Sequence, residues 1–166
     1  MKANTILLIL ISFITISCID KSTSRKEELF KRKVPIENIN KKIRLSPWEP
    51  KKPRIGEPID LILDNKSSNI ITFTRDYGLK IFTYEYDIEE WMTIENELIY
   101  TPNENILLFP KSINKYKSRE IVDLSPVIHD KEKPIFIRIV VIGNVINNGE
   151  ITAEQVAAFT DILVSP

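Results

Sequence analysis

Hydrophobic positions along this chain follow two patterns: a continuous apolar run near the N-terminus, and short alternating segments in the C-terminal three quarters. The first run extends from Thr5 to Ser17 and contains no charged residue. The later segments are rich in β-branched and aromatic residues and are bounded by Pro, Gly, Asn and Asp, which is typical of strands separated by turns. The sequence therefore predicts a targeting segment followed by a β domain.

Most strands of the β domain are predicted by alternation of apolar and polar positions. Glu57–Asn65 alternates cleanly, as a half-buried strand does. Ile135–Ile142 is the longest apolar run of the domain, is interrupted only by Arg138, and predicts a central strand covered on both faces. Further strands are predicted at Ile70–Thr74, Leu79–Tyr86, Trp91–Ile94, Glu97–Thr101, Ile106–Phe109 and Glu120–Leu124. Short, closely spaced strands with almost no helix indicate an all-β fold, an antiparallel sandwich or barrel of seven to nine strands.

One helix signal occurs near the C-terminus. Thr152 can cap a helix, and Gln155 follows three residues later, as in a capping box. Phe159–Val164 alternates as a strand does. We therefore expect at most one helical turn from Thr152, followed by a closing strand.

The N-terminal run has the features of a secretory signal: a basic start at Lys2, an apolar centre, and a length below the roughly 20 residues that a spanning helix needs. It ends at Ser17 and Cys18, a small residue before the only cysteine of the chain. This junction resembles the lipobox of bacterial lipoproteins, although Thr15 stands where that family usually has leucine. The resemblance implies a signal peptide over residues 1–17 and acylation of Cys18.

Acylation implies that Cys18 anchors the chain in a bacterial membrane. Burial of each methylene contributes about 0.8 kcal/mol, so one acyl chain is a marginal anchor and several are a stable one. Proteins of this family usually carry two or three acyl chains. Ile19 stands where an aspartate would mark inner-membrane retention in enteric bacteria. In a host with two membranes we therefore expect anchoring in the outer membrane. The alternative is an ordinary signal peptide that leaves Cys18 as a free thiol.

Residues 18–42 are expected to form a polar, basic tether. From Ile19 to Lys42 the chain has eight Lys or Arg and four Asp or Glu, a composition that disfavours burial. A helical turn or two is expected around Arg25 to Lys33, with Leu29 and Phe30 on its apolar side. Residues 43–166 remain for the sandwich and suit one domain.

Charge and reactive residues exclude several function classes. The chain balances 23 basic against 23 acidic residues, so nucleic-acid binding is not expected. The single histidine, His129, lies in a polar loop beside Asp130, and no further cysteine is available for a zinc site. We expect a surface histidine, no metal, no cofactor and no enzyme activity. A hydrolase would need His129 buried beside an acid in a cleft.

Two clusters of side chains offer the best sites in the sequence. We expect a charged turn at Glu85, Asp87, Glu89 and Glu90. The alternatives are a calcium loop or an acid–base pair. The second cluster is aromatic, and we expect it to form either a binding surface or part of the core. Its members are Tyr77, Phe82, Tyr84, Tyr86 and Trp91. If Phe82, Tyr84 and Tyr86 share a strand face, they form an aromatic strip.

The strand order resembles an immunoglobulin-like sandwich, because PIDLILDNKSS and IITF are followed by GLKIFTYEYDIEEW. Such modules include the BsuPI-type proteinase inhibitors. The sequence accordingly supports an anchored binding or accessory module that contacts an envelope protein or a glycan. The alternative is a proteinase inhibitor acting through an inter-strand loop, for which Tyr100–Asn105 and Ile142–Glu150 are candidates.

Overall fold

A computed structural model describes residues 22–48, 53–54, 59–94, 104–117 and 134–165. Within these ranges the chain forms one helix, α1 (residues 22–33), and nine strands that pair antiparallel. The strands are β1 (Ile43–Pro47), β2 (Asp60–Asn65), β3 (Ile70–Phe73), β4 (Lys80–Glu85), β5 (Glu90–Ile94), β6 (Ile106–Leu108), β7 (Ile113–Lys117), β8 (Ile135–Asn147) and β9 (Glu150–Val164). The all-β, antiparallel sandwich predicted from the sequence is confirmed.

The strands form two sheets. The smaller one has the order β1-β2-β7, and the larger one has the order β5-β4-β8-β3-β6, with β9 paired to the other edge of β8. β4 pairs with Ile137–Val140 and β3 with Asn144–Ile146, so these two strands follow each other along one edge of β8. β8 is therefore the central strand of the molecule, as its apolar sequence predicts.

Alternation along β8 directs its side chains to two different layers. Ile137, Ile139 and Val141 face the smaller sheet and belong to the main core, which also contains Leu61 and Leu63 of β2. Val140 faces the opposite side, where it packs in a second cluster with Phe30 of α1. The layers are thus the smaller sheet, the larger sheet and α1, and both faces of β8 are covered.

From residue 22 onward, the segment that was expected to be a solvated tether packs on the folded domain. α1 packs on the larger sheet, and Phe30 and Val34 are fully buried there. The following residues run along β9, where Asn40 N donates to the Ala157 carbonyl (2.8 Å) and Phe159 N donates to Asn40 Oδ1 (2.9 Å). The basic composition of the segment did not predict this packing, because the charges lie on the exposed side of an amphipathic helix.

β8 and β9 form one long hairpin, which corrects two predictions for this region. Asn148 and Gly149, both with positive φ (51° and 84°), make a two-residue turn, so Ile142–Glu150 is strand and tight turn and not an extended inhibitory loop. No helical turn forms at Thr152, whose hydroxyl donates to the Val145 carbonyl across the hairpin (2.9 Å). Residues 152–154 instead form a bulge in the hairpin, because the register of β8 and β9 shifts between the Ile146–Ile151 and Asn144–Gln155 pairs.

Several predicted features lie outside the described residues: Cys18, His129, most of the Tyr100–Asn105 loop, and the strands expected at Glu97–Thr101 and Glu120–Leu124. Conversely, β1 and β7 were not predicted. β1 does alternate, with Ile43 and Leu45 buried and Arg44 exposed, but it is short and ends at a proline, whereas β7 does not alternate clearly. Over the part of the chain that the structure describes, no helix combines the length and apolar character needed to span a membrane.

Candidate functional site: a groove between the helix and the sheet

A groove lies where α1 meets the β4 and β5 end of the larger sheet. It consists of two adjoining cavities of about 380 and 320 Å³ that share the side chains of Lys26, Tyr84 and Tyr86. The larger cavity reaches inward to Arg138, and the smaller one reaches outward to Glu89. We call this feature the helix–sheet groove.

Three of the five aromatic residues singled out in the sequence line this groove, and Phe82 packs in the core cluster beside them. The two-residue period of β4 places Phe82 and Tyr84 on the side of α1, and Tyr84 pairs in register with Trp91 of β5. Exposure increases outward: Phe82 and Trp91 are buried, Tyr84 is half-buried, and Tyr86 is 66% exposed. The cluster is therefore core packing at its inner end and an accessible aromatic surface at its outer end.

Tyr77, the fifth residue, lies elsewhere. It packs against Phe73 (5.9 Å between ring centroids) in the core between the two sheets. It sits in the turn between β3 and β4 with a positive φ of 56°. The sequence placed Tyr77 with the groove residues because of its proximity along the chain, but the turn directs it to the opposite face.

The outer end of the groove is organised by the first turns of α1. The Lys26 ammonium lies over the Tyr84 ring (4.9 Å) and the Tyr86 ring (4.6 Å), within the range of a cation–π interaction. Arg25 pairs with Glu89 of the β4–β5 turn (2.7 Å). This end therefore carries two cations beside two tyrosine rings.

The inner end is built around Arg138, which is only 5% exposed. Its Nε and Nη2 donate to the two carboxylate oxygens of Asp161 on β9 (2.7 and 2.8 Å), and Nη2 also pairs with Glu27 of α1 (3.0 Å). A bidentate pair of this kind fixes the plane of the guanidinium. The interaction joins α1, β8 and β9 through one side chain.

Aromatic rings complete the surroundings of this guanidinium. Its central carbon lies 4.5 Å from the centroids of both Phe30 and Trp91, and 3.9 Å from that of Phe159. Burial opposes the charge, but hydrogen bonds and attraction from Asp161 and Glu27 outweigh it and raise the pKa of Arg138 above its ordinary value. Arg138 is thus permanently charged, and its Nη1 has no hydrogen-bond partner among the described residues.

One feature of the sequence points to this centre. Arg138 is the only charge within an apolar strand, and such a charge needs a partner when both strand faces are covered. The partners could not be identified, because Asp161 and Glu27 are far from Arg138 in sequence and Glu27 belongs to a segment whose composition suggested solvent exposure.

The predicted acidic cluster forms the turn region between β4 and β5. Residues 86–89 are the turn itself, and Glu89 there is paired with Arg25. In the ranges that the structure covers, no group of three or more His, Cys, Asp or Glu residues is arranged to hold a metal ion. The groove thus offers aromatic surface, paired charges and hydrogen-bonding groups.

No protein-family model matches this chain, and a search of curated proteins finds no significant relative.

Two neighbouring glutamates on α1 provide a test of the Arg138 centre. Glu27→Gln removes the charge that pairs with buried Arg138, and we expect the free energy of unfolding to fall by about 1 kcal/mol. Glu28→Gln is the matched control, because Glu28 pairs with exposed Arg32 at i,i+4 (3.4 Å), and its loss should change stability by less than about 0.5 kcal/mol. Chemical denaturation followed by tryptophan fluorescence measures both; equal losses would contradict the role given to Glu27.

Proposed function

We propose that this chain is a bacterial lipoprotein whose sandwich domain is a non-catalytic binding module, anchored by acyl chains on Cys18 and binding another envelope protein through the helix–sheet groove. The observation that carries the binding role is the outer end of this groove, where exposed Tyr86 continues a cluster of packed aromatic side chains. The anchor is supported by the apolar run, Ser17 and Cys18, and by the lipobox resemblance.

The chemistry of the groove favours a protein partner. Tyrosine, tryptophan and arginine are enriched at the energetically important centres of protein interfaces, and the groove is lined by Tyr84, Tyr86, Trp91 and Arg138. A rigid base reduces the ordering cost of binding, because Arg138 and Trp91 are already fixed by their packing. A glycan is the other ligand class that aromatic surfaces bind, although the Lys26 ammonium already lies over both tyrosine rings.

Intact-mass spectrometry tests the anchor. Protein purified from bacterial membranes is expected to have the mass of residues 18–166 plus two or three acyl chains, because cleavage before Cys18 creates the N-terminus that is acylated. The Cys18→Ala variant should lose the acyl mass and the membrane association. An unmodified Cys18 or an uncleaved N-terminus in the wild-type protein would overturn the lipoprotein assignment.

Site-specific photo-cross-linking in cells tests the groove. We expect p-benzoylphenylalanine in place of Tyr86 to give discrete adducts with an envelope protein, identified by mass spectrometry, because position 86 lines the proposed interface. The same probe in place of Ile151, which is similarly exposed but lies on the β8–β9 hairpin, is the matched control. Absence of adducts at position 86, or the same adducts at both positions, would contradict the proposal. Adducts that carry sugar in place of protein would show that the partner is a glycan and not an envelope protein.

A further inference from the structure

We infer that the first turn of α1 and the β4–β5 turn form a membrane-apposed end of the domain, which rests against the lipid headgroups. This inference depends on the acylation of Cys18 in the proposed function. A long tether would let the domain rotate freely above the bilayer. Because α1 packs on the domain, almost no tether remains. The candidate groove lies at this same end.

The length of chain between the anchor and the folded domain supports this orientation. The described part of α1 begins at residue 22, and only Ile19, Asp20 and Lys21 stand between this residue and Cys18 in the sequence. Four residue steps of fully extended chain reach about 14 Å at most. The start of α1 is therefore within about 14 Å of the acyl-bearing residue, roughly twice the thickness of one headgroup layer, since the two layers together add about 10–15 Å to a bilayer's 30 Å core.

The start of α1 cannot move independently of the sheet. Trp91 Nε1 donates to the Lys26 carbonyl (3.0 Å), which attaches the helix backbone to β5. The Arg25–Glu89 pair attaches the helix to the β4–β5 turn. The burial of Phe30 holds the next turn of α1 on the larger sheet. Whatever restrains the start of α1 consequently restrains the whole domain.

The side chains at this end suit the headgroup region. Ile88 lies in the β4–β5 turn next to the start of α1 and is 59% exposed. Its apolar side chain can contact the headgroup layer and leave Tyr86 to the protein partner proposed for the groove. Residues 22–26 and 85–90 contain two basic and four acidic residues, so general attraction to anionic lipid is not the cause of apposition. The covalent anchor is the cause.

The β8–β9 hairpin marks the opposite end of the molecule. Along β8, Thr83 of β4 pairs with Ile137, whereas Ile151 of β9 pairs with Ile146. Nine residues of strand separate these positions, a distance of about 30 Å. Ile151 is 61% exposed, nearly the same as Ile88. These two isoleucines are therefore a matched pair of labelling positions at opposite ends of the domain.

Lipid quenching of a fluorophore measures the orientation in the full acylated chain. Cys18 is the only cysteine and its thiol is acylated, so Ile88→Cys and Ile151→Cys each introduce a single free thiol for an environment-sensitive dye. Each labelled protein is reconstituted into phosphatidylcholine vesicles that contain a lipid with a spin label on its headgroup. We expect quenching at position 88 to be several-fold stronger than at position 151.

A longer tether provides the control. Insertion of about twelve Gly and Ser residues between Lys21 and Ser22 adds an r.m.s. reach of about 19 Å and should bring the quenching ratio close to one. Equal quenching at positions 88 and 151 without the insertion, on protein whose intact mass shows acylation, would overturn the apposition and leave the anchored module standing. A mass without acyl chains would overturn both.

Discussion

The guanidinium of Arg138 lies in the centre of the longest apolar strand segment of the domain, on the face of the larger sheet that the smaller sheet does not cover. A buried ion costs several kcal/mol unless its partners and geometry compensate. Here Asp161 supplies a bidentate partner from the neighbouring strand, Glu27 supplies a second carboxylate from α1, and three aromatic rings surround the planar group. The covering of this sheet face, and thus the position of α1, depends on this arrangement.

Packing explains why α1 forms where it does. A free helix of this length is marginal in water, but full burial of Phe30 and Val34 contributes about 1.5–3 kcal/mol for each side chain. The Glu27–Arg138 pair and the Trp91–Lys26 hydrogen bond then fix the helix in one orientation. The helix–sheet groove is the space left at the edge of this contact. It consequently exists only when α1 is docked on the sheet.

Sequence reasoning predicted the fold class and most strands of the larger sheet, because alternation and turn residues are local signals. It also brought Phe82, Tyr84, Tyr86 and Trp91 together, because they share one β-hairpin. It did not predict that residues 22–42 pack on the domain, since the few apolar residues involved are surrounded by charges. It did not identify Asp161 and Glu27 as partners of Arg138, because strand and helix packing, not sequence spacing, sets these contacts. At Thr152, the residue type that can cap a helix lies instead in a bulge of the β8–β9 hairpin, where its hydroxyl donates to the Val145 carbonyl.

The groove and the role of Arg138 both require that α1 is docked on the larger sheet. Native-state hydrogen exchange of the protein, followed by mass spectrometry of α1 peptides and β8–β9 peptides, is the most direct test of this docking. We expect amides of residues 26–33 to be protected far beyond the level of a free peptide. Protection confined to the strands, with α1 amides exchanging at the rate of an unstructured chain, would contradict it.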